Sequence, residues 1–238
     1  MLKLLVLPHH WIEHPLIGNY LRSITINTRM TIREKGTFTL HNMLEISQML
    51  SRFSWEHHFR TAFLLSFMAF LRISNLVPSA IRFADPSRQI TWGDIVFIKN
   101  GAVIKIKRAK NMQQGYRNQQ IHVPLMPTVW LCPIRSLKKL HEVEKHRENE
   151  LLMKRGDSVL TESHLRKTLA MVLDLGHQPY YNTYHCFRRS GASLAFNENV
   201  NFESIKAQGG WQSDAIWSYL FNHSQDISVI PKMLDVRS

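Results

Sequence analysis

The sequence predicts an α+β fold, a mostly helical body interrupted by one small three-stranded antiparallel sheet. Three observations predict it. Apolar residues recur at helical spacing both before and after the middle of the chain. Between those regions, "QITWGDIVFIKNGAVIKIKRAK" and "NQQIHVPL" alternate with the two-residue period of strands. The first of them also contains an Asn-Gly pair, a strong hairpin signal. At 238 residues the chain has room for one large domain or two small ones, and it shows no internal repeat or low-complexity tract.

Residues 1–36 read as irregular, with "HPLIGNYLRSI" as one short amphipathic helix and the polar, basic "NTRMTIREKGTF" as a linker. A compact body, residues 37–238, begins near Thr39. "TLHNMLEISQML" spaces Leu40, Met43, Leu44, Ile46 and Leu50 for a helix with Thr39 at its N-cap. A second helix, about Glu56 to Arg72, carries the apolar run Ala62 to Leu71 and belongs to the interior. The strands follow, with a Lys99-Asn100-Gly101-Ala102 turn. Helices return at about Pro133–Arg147, Thr161–Leu175, His185–Glu198, Phe202–Ala207 and Asp214–Asn222. "SQDISVIPKMLDVRS" reads as a short terminal helix or tail.

Composition narrows the partners. The formal charge is +12 and 44% of residues are hydrophobic, so a basic surface surrounds a sizeable core. Such a balance favours a polyanion, nucleic acid first. Cys132 and Cys186 form no CxxC, which suggests neither a zinc site nor a disulfide framework and fits a reducing, intracellular compartment. The apolar start "MLKLLVL" is cut short by Pro8, and no run approaches the ~20 residues of a membrane span. The 18 acids contain no DxD and no evident clustered triad, so no metal site and no cofactor is expected.

Four groups of residues could carry chemistry. Arg72 closes an apolar helix, where a charge is either paired to an acid, satisfied by the helix C-terminus, or aimed at an anion. Residues 99–117 hold Lys99, Lys105, Lys107, Arg108, Lys110 and Arg117 without one acid. That is a polyanion-facing strand and loop, with or without a catalytic member. His185 and Arg188 are spaced to share one helical face, as an exposed basic patch or an anion site. Arg189 is turned about 100° away, toward a backbone contact or the surface. Trp211 and Tyr219 follow a Gly-Gly turn and are either core aromatics or site residues; Trp217 and Phe221 read as core.

Arginine, lysine, histidine with arginine at i+3, then tryptophan and tyrosine, in this order, resembles the tyrosine recombinase (phage integrase) family. "LRISNLVP", "HCFRRSGAS" and "GGWQSDAIWSYL" carry the resemblance, across roughly residues 37–225. The wording is most similar to recombinases of eukaryotic Crypton and DIRS-like mobile elements. The resemblance implies DNA strand cleavage and rejoining through a covalent 3′-phosphotyrosine, without metal or ATP. It implies Arg72 and Arg188 on the scissile phosphate and Lys110 as general acid, with Lys107 the runner-up. It implies His185 assisting proton transfer, Trp211 donating its indole N–H, and Tyr219 as nucleophile. Lys105, Lys107, Arg108, Arg117 and Arg189 are the implied DNA contacts. The implied partners are double-stranded DNA and further copies of the chain, as a tetramer on two duplexes, with the nucleus as the compartment for a eukaryotic element.

The chain departs from the family pattern in three places. Asn75 stands where many members carry an acid, Arg189-Ser190 precede Gly191 where related elements often have another glycine, and residues 1–36 supply at most the last helix of a core-binding domain. A relative that holds DNA without cutting it is the alternative.

Overall fold

The computed structural model describes residues 37–107, 119–145, 147–176, 185–211, 216–217 and 220. The body starts with α1 (Leu40–Met49), whose N-cap is Thr39 as expected: its hydroxyl accepts from the Asn42 amide and Asn42 reciprocates. This capping box removes two orphan amide donors from the helix start.

Helix α2 (Glu56–Met68) runs through the interior, burying His58, Phe59 and every residue from Thr61 to Phe67. It stops four residues before the expected Arg72. The break comes at Phe70, which takes a left-handed φ of 52°, a conformation costing a residue with a Cβ about 1–2 kcal/mol. The turn moves the Phe70 ring out of the main core into a second cluster with Ala192, Ile205, Trp211 and Ile216. Arg72 is therefore not on α2. It sits in extended backbone as the N-cap of a one-turn helix, α3 (Ile73–Leu76).

The expected sheet is present, in order β1 (Ile95–Ile98), β2 (Gly101–Ile106), β3 (Gln119–Pro124), all antiparallel. Ile98 pairs with Gly101 across the Lys99-Asn100 turn, and Ile106 pairs with Gln119 at the far end of the second hairpin. Ala102, Ile104, Ile106, Ile121 and Val123 line the buried face. A two-residue ribbon, β4 (Lys154–Arg155) with β5 (Ser158–Val159), was not expected. It is too short to show a two-residue period.

Helix α4 (Pro133–Glu144) opens with proline at its first position, and the Cys132 sulfur accepts from the Arg135 amide. It ends at left-handed Lys145, short of Arg147. Helices α5 (Glu162–Leu175), α6 (His185–Asn197) and α7 (Phe202–Gly209) lie close to their expected spans, α7 running two residues past Ala207. Helix α6 lies against the end of α2 because residue 191 is glycine. A Cβ there would collide with the Phe67 carbonyl oxygen and lie 2.8 Å from its carbon and 3.0 Å from the Phe70 ring.

Candidate active site

The site is built where the end of α2, the first turn of α6 and the end of α7 meet. Arg188, on α6, is only 2% exposed. Its Nη1 donates to the Phe70 carbonyl at 2.6 Å and its Nη2 to the Gly209 carbonyl at 2.6 Å. The guanidinium carbon lies over the Trp211 ring, 4.0 Å from the ring centroid. One cation thus joins the turn two residues before Arg72 to the helix end two residues before Trp211. Charge-assisted hydrogen bonds of this kind are about twice as strong as neutral ones, and the stacked indole adds a cation–π contact.

The end of α7 is shaped to present those groups. Gly210 adopts φ 63° and donates to Ala207, while the Trp211 amide reaches back to the Lys206 carbonyl at 2.9 Å. This is a Schellman closure, which needs a left-handed residue and so favours glycine. It turns the chain sharply enough to lay the Trp211 indole against Arg188 and Phe70, whose ring centroid is 6.3 Å from that of Trp211.

His185 is the first residue of α6 and is exposed, unlike Arg188 one turn later. The packing around its ring disfavours the charged form, and Arg188, Arg189 and Arg72 push the same way. Glu162 opposes them, and the net effect holds the imidazole below its ordinary value. The same neighbours locate Arg72, which is half-buried in the loop after α2 and close enough to act on His185. No hydrogen bond or ion pair links the Arg72 guanidinium to another described residue.

Other expectations need correction. Arg189 is 9% exposed, so it is not a surface charge: every residue of α6 from Cys186 to Ser193 is buried. Trp217 is 55% exposed and stacks on Phe202 at 4.7 Å, so it is not a core residue. Lys107 is committed to structure. Its ammonium pairs with the buried Asp94 carboxylate at 2.6 Å and also donates to the Pro86 carbonyl and the Thr91 hydroxyl. Lys105 is exposed on β2. Arg108, Lys110, Arg117 and Tyr219, with Phe221, lie outside the described residues. So do residues 1–36 and most of the expected helix Asp214–Asn222.

Sequence reasoning missed Asp94 and Phe70. A Thr-x-x-Asp capping-box signature, Thr91 to Asp94, marked the first. Nothing local marked the second. A depression of about 590 Å³ beside α2 and α4 is lined by His57, Arg60, Trp130, Arg135, Lys138 and Lys139, among others, and holds none of the candidate residues. Among the described residues, no group of three His, Cys, Asp or Glu could hold a metal ion. No helix of the described residues is long and apolar enough to cross a membrane.

Neither a protein-family model nor a curated protein matches the sequence. Solved structures do. One is the XerH site-specific recombinase bound to palindromic difH substrate in a post-cleavage complex. It is 15% identical with a TM-score of 0.60, over 84% of this chain and 52% of that one. Another is a lambda integrase dimer bound to a COC′ core site, 16% identical with a TM-score of 0.56, over 80% and 49%. A third is the Tn1549 transposon integrase in complex with circular intermediate DNA, 14% identical with a TM-score of 0.57, over 84% and 65%. This chain therefore spans about half the length of the first two. At these identities the likeness is one of fold: helices around a small three-stranded antiparallel sheet, the fold of a tyrosine recombinase catalytic domain.

Proposed function

We propose that residues 37–238 are the catalytic domain of a tyrosine recombinase, which cleaves and rejoins double-stranded DNA through a covalent link to Tyr219. The observation that carries the reading is Arg188. Its guanidinium gathers three sequence motifs, "FLRISN", "HCFRRSG" and "GGW", around one cation. The fold shared with recombinases bound to DNA supports it.

The chemistry follows from the residue types. Attack by the Tyr219 oxygen on a backbone phosphorus forms the 3′-phosphotyrosine bond and breaks the bond to the 5′-oxygen. That oxygen leaves with a proton from Lys110. The phosphate's nonbridging oxygens gain charge in the transition state, and fixed cations there stabilise it. Arg72 supplies the half-buried cation and Arg188 the buried one. His185, held below its ordinary value, is neutral at pH 7 and can take the phenol proton. Attack by the 5′-hydroxyl on the phosphotyrosine reverses each step, so the bond energy is kept and rejoining needs no ATP. Lys105, Arg108 and Arg117 hold flanking phosphates, and strand exchange is carried out by four copies of the chain on two duplexes.

A nicked suicide duplex, which loses a short fragment on cleavage, tests this. The chain should form a covalent protein–DNA adduct that resists denaturant, persists in EDTA and is absent in Tyr219→Phe. An adduct that survives Tyr219→Phe refutes the assignment of the nucleophile. No adduct, with salt-sensitive DNA binding retained, leaves a DNA-holding module instead.

A further inference from the structure

The depression beside the start of α2 is built around Trp130. The Ser47 hydroxyl donates to the Trp130 carbonyl at 2.6 Å and fixes its backbone. The guanidinium carbon of Arg60 lies over the indole, 4.8 Å from the ring centroid. Arg60 is itself held, by two donations to the Ser47 carbonyl and by Glu56 at 3.6 Å. The ring is therefore fixed in place, yet Trp130 is 40% exposed and its neighbour Val129 60%. A tryptophan already ordered and still open to solvent gives up little entropy on contact, which is what a binding hot spot requires. Charge around it is one-sided. Arg60, Arg135, Lys138 and Lys139 line the depression against only two acids, Glu56 and Glu142. Both acids are engaged, with Arg60 and Lys139. Arg135 and Lys138 are exposed and make no ion pair with another described residue.

The turn between α6 and α7 has the opposite character. It closes on left-handed Asn199, φ 60°, and the Glu198, Asn199 and Val200 amides donate back to carbonyls of α6. The Asn201 side chain then accepts from the Ser204 amide and caps α7. This fixed corner presents Val200, 46% exposed, with exposed Glu198 and Glu203 on either side of it in the chain. Trp217, also exposed, stacks on Phe202 beside it. From Asn197 to Ser204 there are two acids and no cation, in a chain whose net charge is +12. Lys206 reaches Glu203 at 3.6 Å, but Glu203 is 75% exposed, and such a surface pair is weak.

Two copies of so basic a chain repel, and contact between them needs a place where the sign reverses. We infer that the α6–α7 turn of one copy docks in the Trp130 depression of the next. Val200 and Trp217 meet Val129 and Trp130, while Glu198 and Glu203 meet Arg135 and Lys138. The two surfaces are different, so the contact is head to tail: each copy gives its turn to one neighbour and its depression to another. Self-association of this kind goes beyond the recombinase reading and does not depend on it.

Sedimentation velocity of the full chain without DNA, over a wide range of concentration, tests it. Arg135→Glu with Lys138→Glu makes the depression acidic, and Glu198→Lys with Glu203→Lys makes the turn basic. All four side chains are exposed, so the fold should hold, and thermal melting checks this. Each double variant should associate about 10- to 100-fold more weakly than the unmodified chain, because two attractions become two repulsions. An equimolar mixture of the two should associate again. Each variant then offers the other a complementary surface, although neither fits itself. Trp217→Ser, which leaves the charge alone, should also weaken association.

A chain that stays monomeric at every concentration overturns the inference, as do double variants that associate like the unmodified chain, or a mixture that does not recover. Weaker duplex binding by the depression variant with self-association unchanged would assign the depression to DNA and also overturns it. Adduct formation by a chain that stays monomeric overturns this inference alone. Association restored by mixing, in a chain that forms no adduct, leaves it standing without the recombinase reading.

Discussion

Arg188→Ala separates an arginine that merely faces a ligand from one that also holds the fold together. The substitution strands two carbonyls, of Phe70 and Gly209, in buried surroundings. Each hydrogen bond to a charged donor is worth about 1.5–3 kcal/mol. The lost contact over Trp211 adds about 0.5–2 kcal/mol. Against this, the folded state no longer bears the desolvation of a buried guanidinium, which offsets several kcal/mol. What remains is mainly the cost of two neutral carbonyls left without a donor, about 1–3 kcal/mol each, so the net expectation is a loss of about 2–5 kcal/mol. At a urea slope of about 2–3 kcal/mol per molar, the unfolding midpoint should fall by about 1–2 M. Tryptophan fluorescence reads this directly, because Trp211 is the stacked partner. Arg188→Lys keeps the charge but lacks the planar fork that spans two carbonyls, so it should fall between the two. Covalent adduct formation is then compared per folded molecule, with Arg189→Ala alongside, since that residue is buried too. Arg188→Ala should abolish the adduct and Arg189→Ala should retain it. A midpoint shift worth under about 1 kcal/mol would refute the structural role assigned to Arg188. Equal adduct loss in both alanine variants would refute its catalytic one.

Gly191→Ala drives a methyl group into the Phe67 carbonyl, and backbone cannot swing aside as a side chain can. The expected cost is about 1–3 kcal/mol, or a melting temperature lower by about 3–10 °C for a chain of this size. Adduct formation should fall further than the folded fraction, because Phe70 and its carbonyl move with α2; unchanged melting would refute the close helix contact. His185 gives a pH dependence whose sign is fixed. Its imidazole is held below the ordinary value of about 6.5, so cleavage should be full at neutral pH and decline only as pH drops through that lowered value. The folded state binds the proton less readily than the unfolded one, so the associated stability is present above about 6.5 and is lost as pH falls. His185→Asn should remove the cleavage transition and part of the acid sensitivity, with His57, also held low by burial, contributing the rest. A cleavage midpoint above 6.5 would contradict this.

The elements were legible in the sequence because periodicity and caps are local, as Thr39 and Thr161 illustrate; the first hairpin was found too, but it turns at Lys99-Asn100, one residue earlier than the Asn-Gly pair suggests. The end of α2 was not, because nothing within ten residues of Phe70 says that its ring is wanted elsewhere. The demand comes from Trp211 and Ala192, far along the chain. The same holds for the site. Arg188 was identifiable as a residue type, since holding a phosphate calls for a planar, permanently charged fork. Turning Arg189 outward by about 100° would bring it to solvent only if α6 had one wet face there. It has none at that turn, because Gly191 brings α2 against it and the end of α7 closes over it. Lys107 misled for the complementary reason: an acid-free stretch looks like free cations, yet its counter-ion, Asp94, lies just upstream on a capping turn. Residue types reveal which chemistry is possible, whereas commitments of charge are made across the fold. A lysine already spent on a buried carboxylate and an arginine shared between two carbonyls read alike in the sequence, and only the second stands at the meeting point of the three motifs.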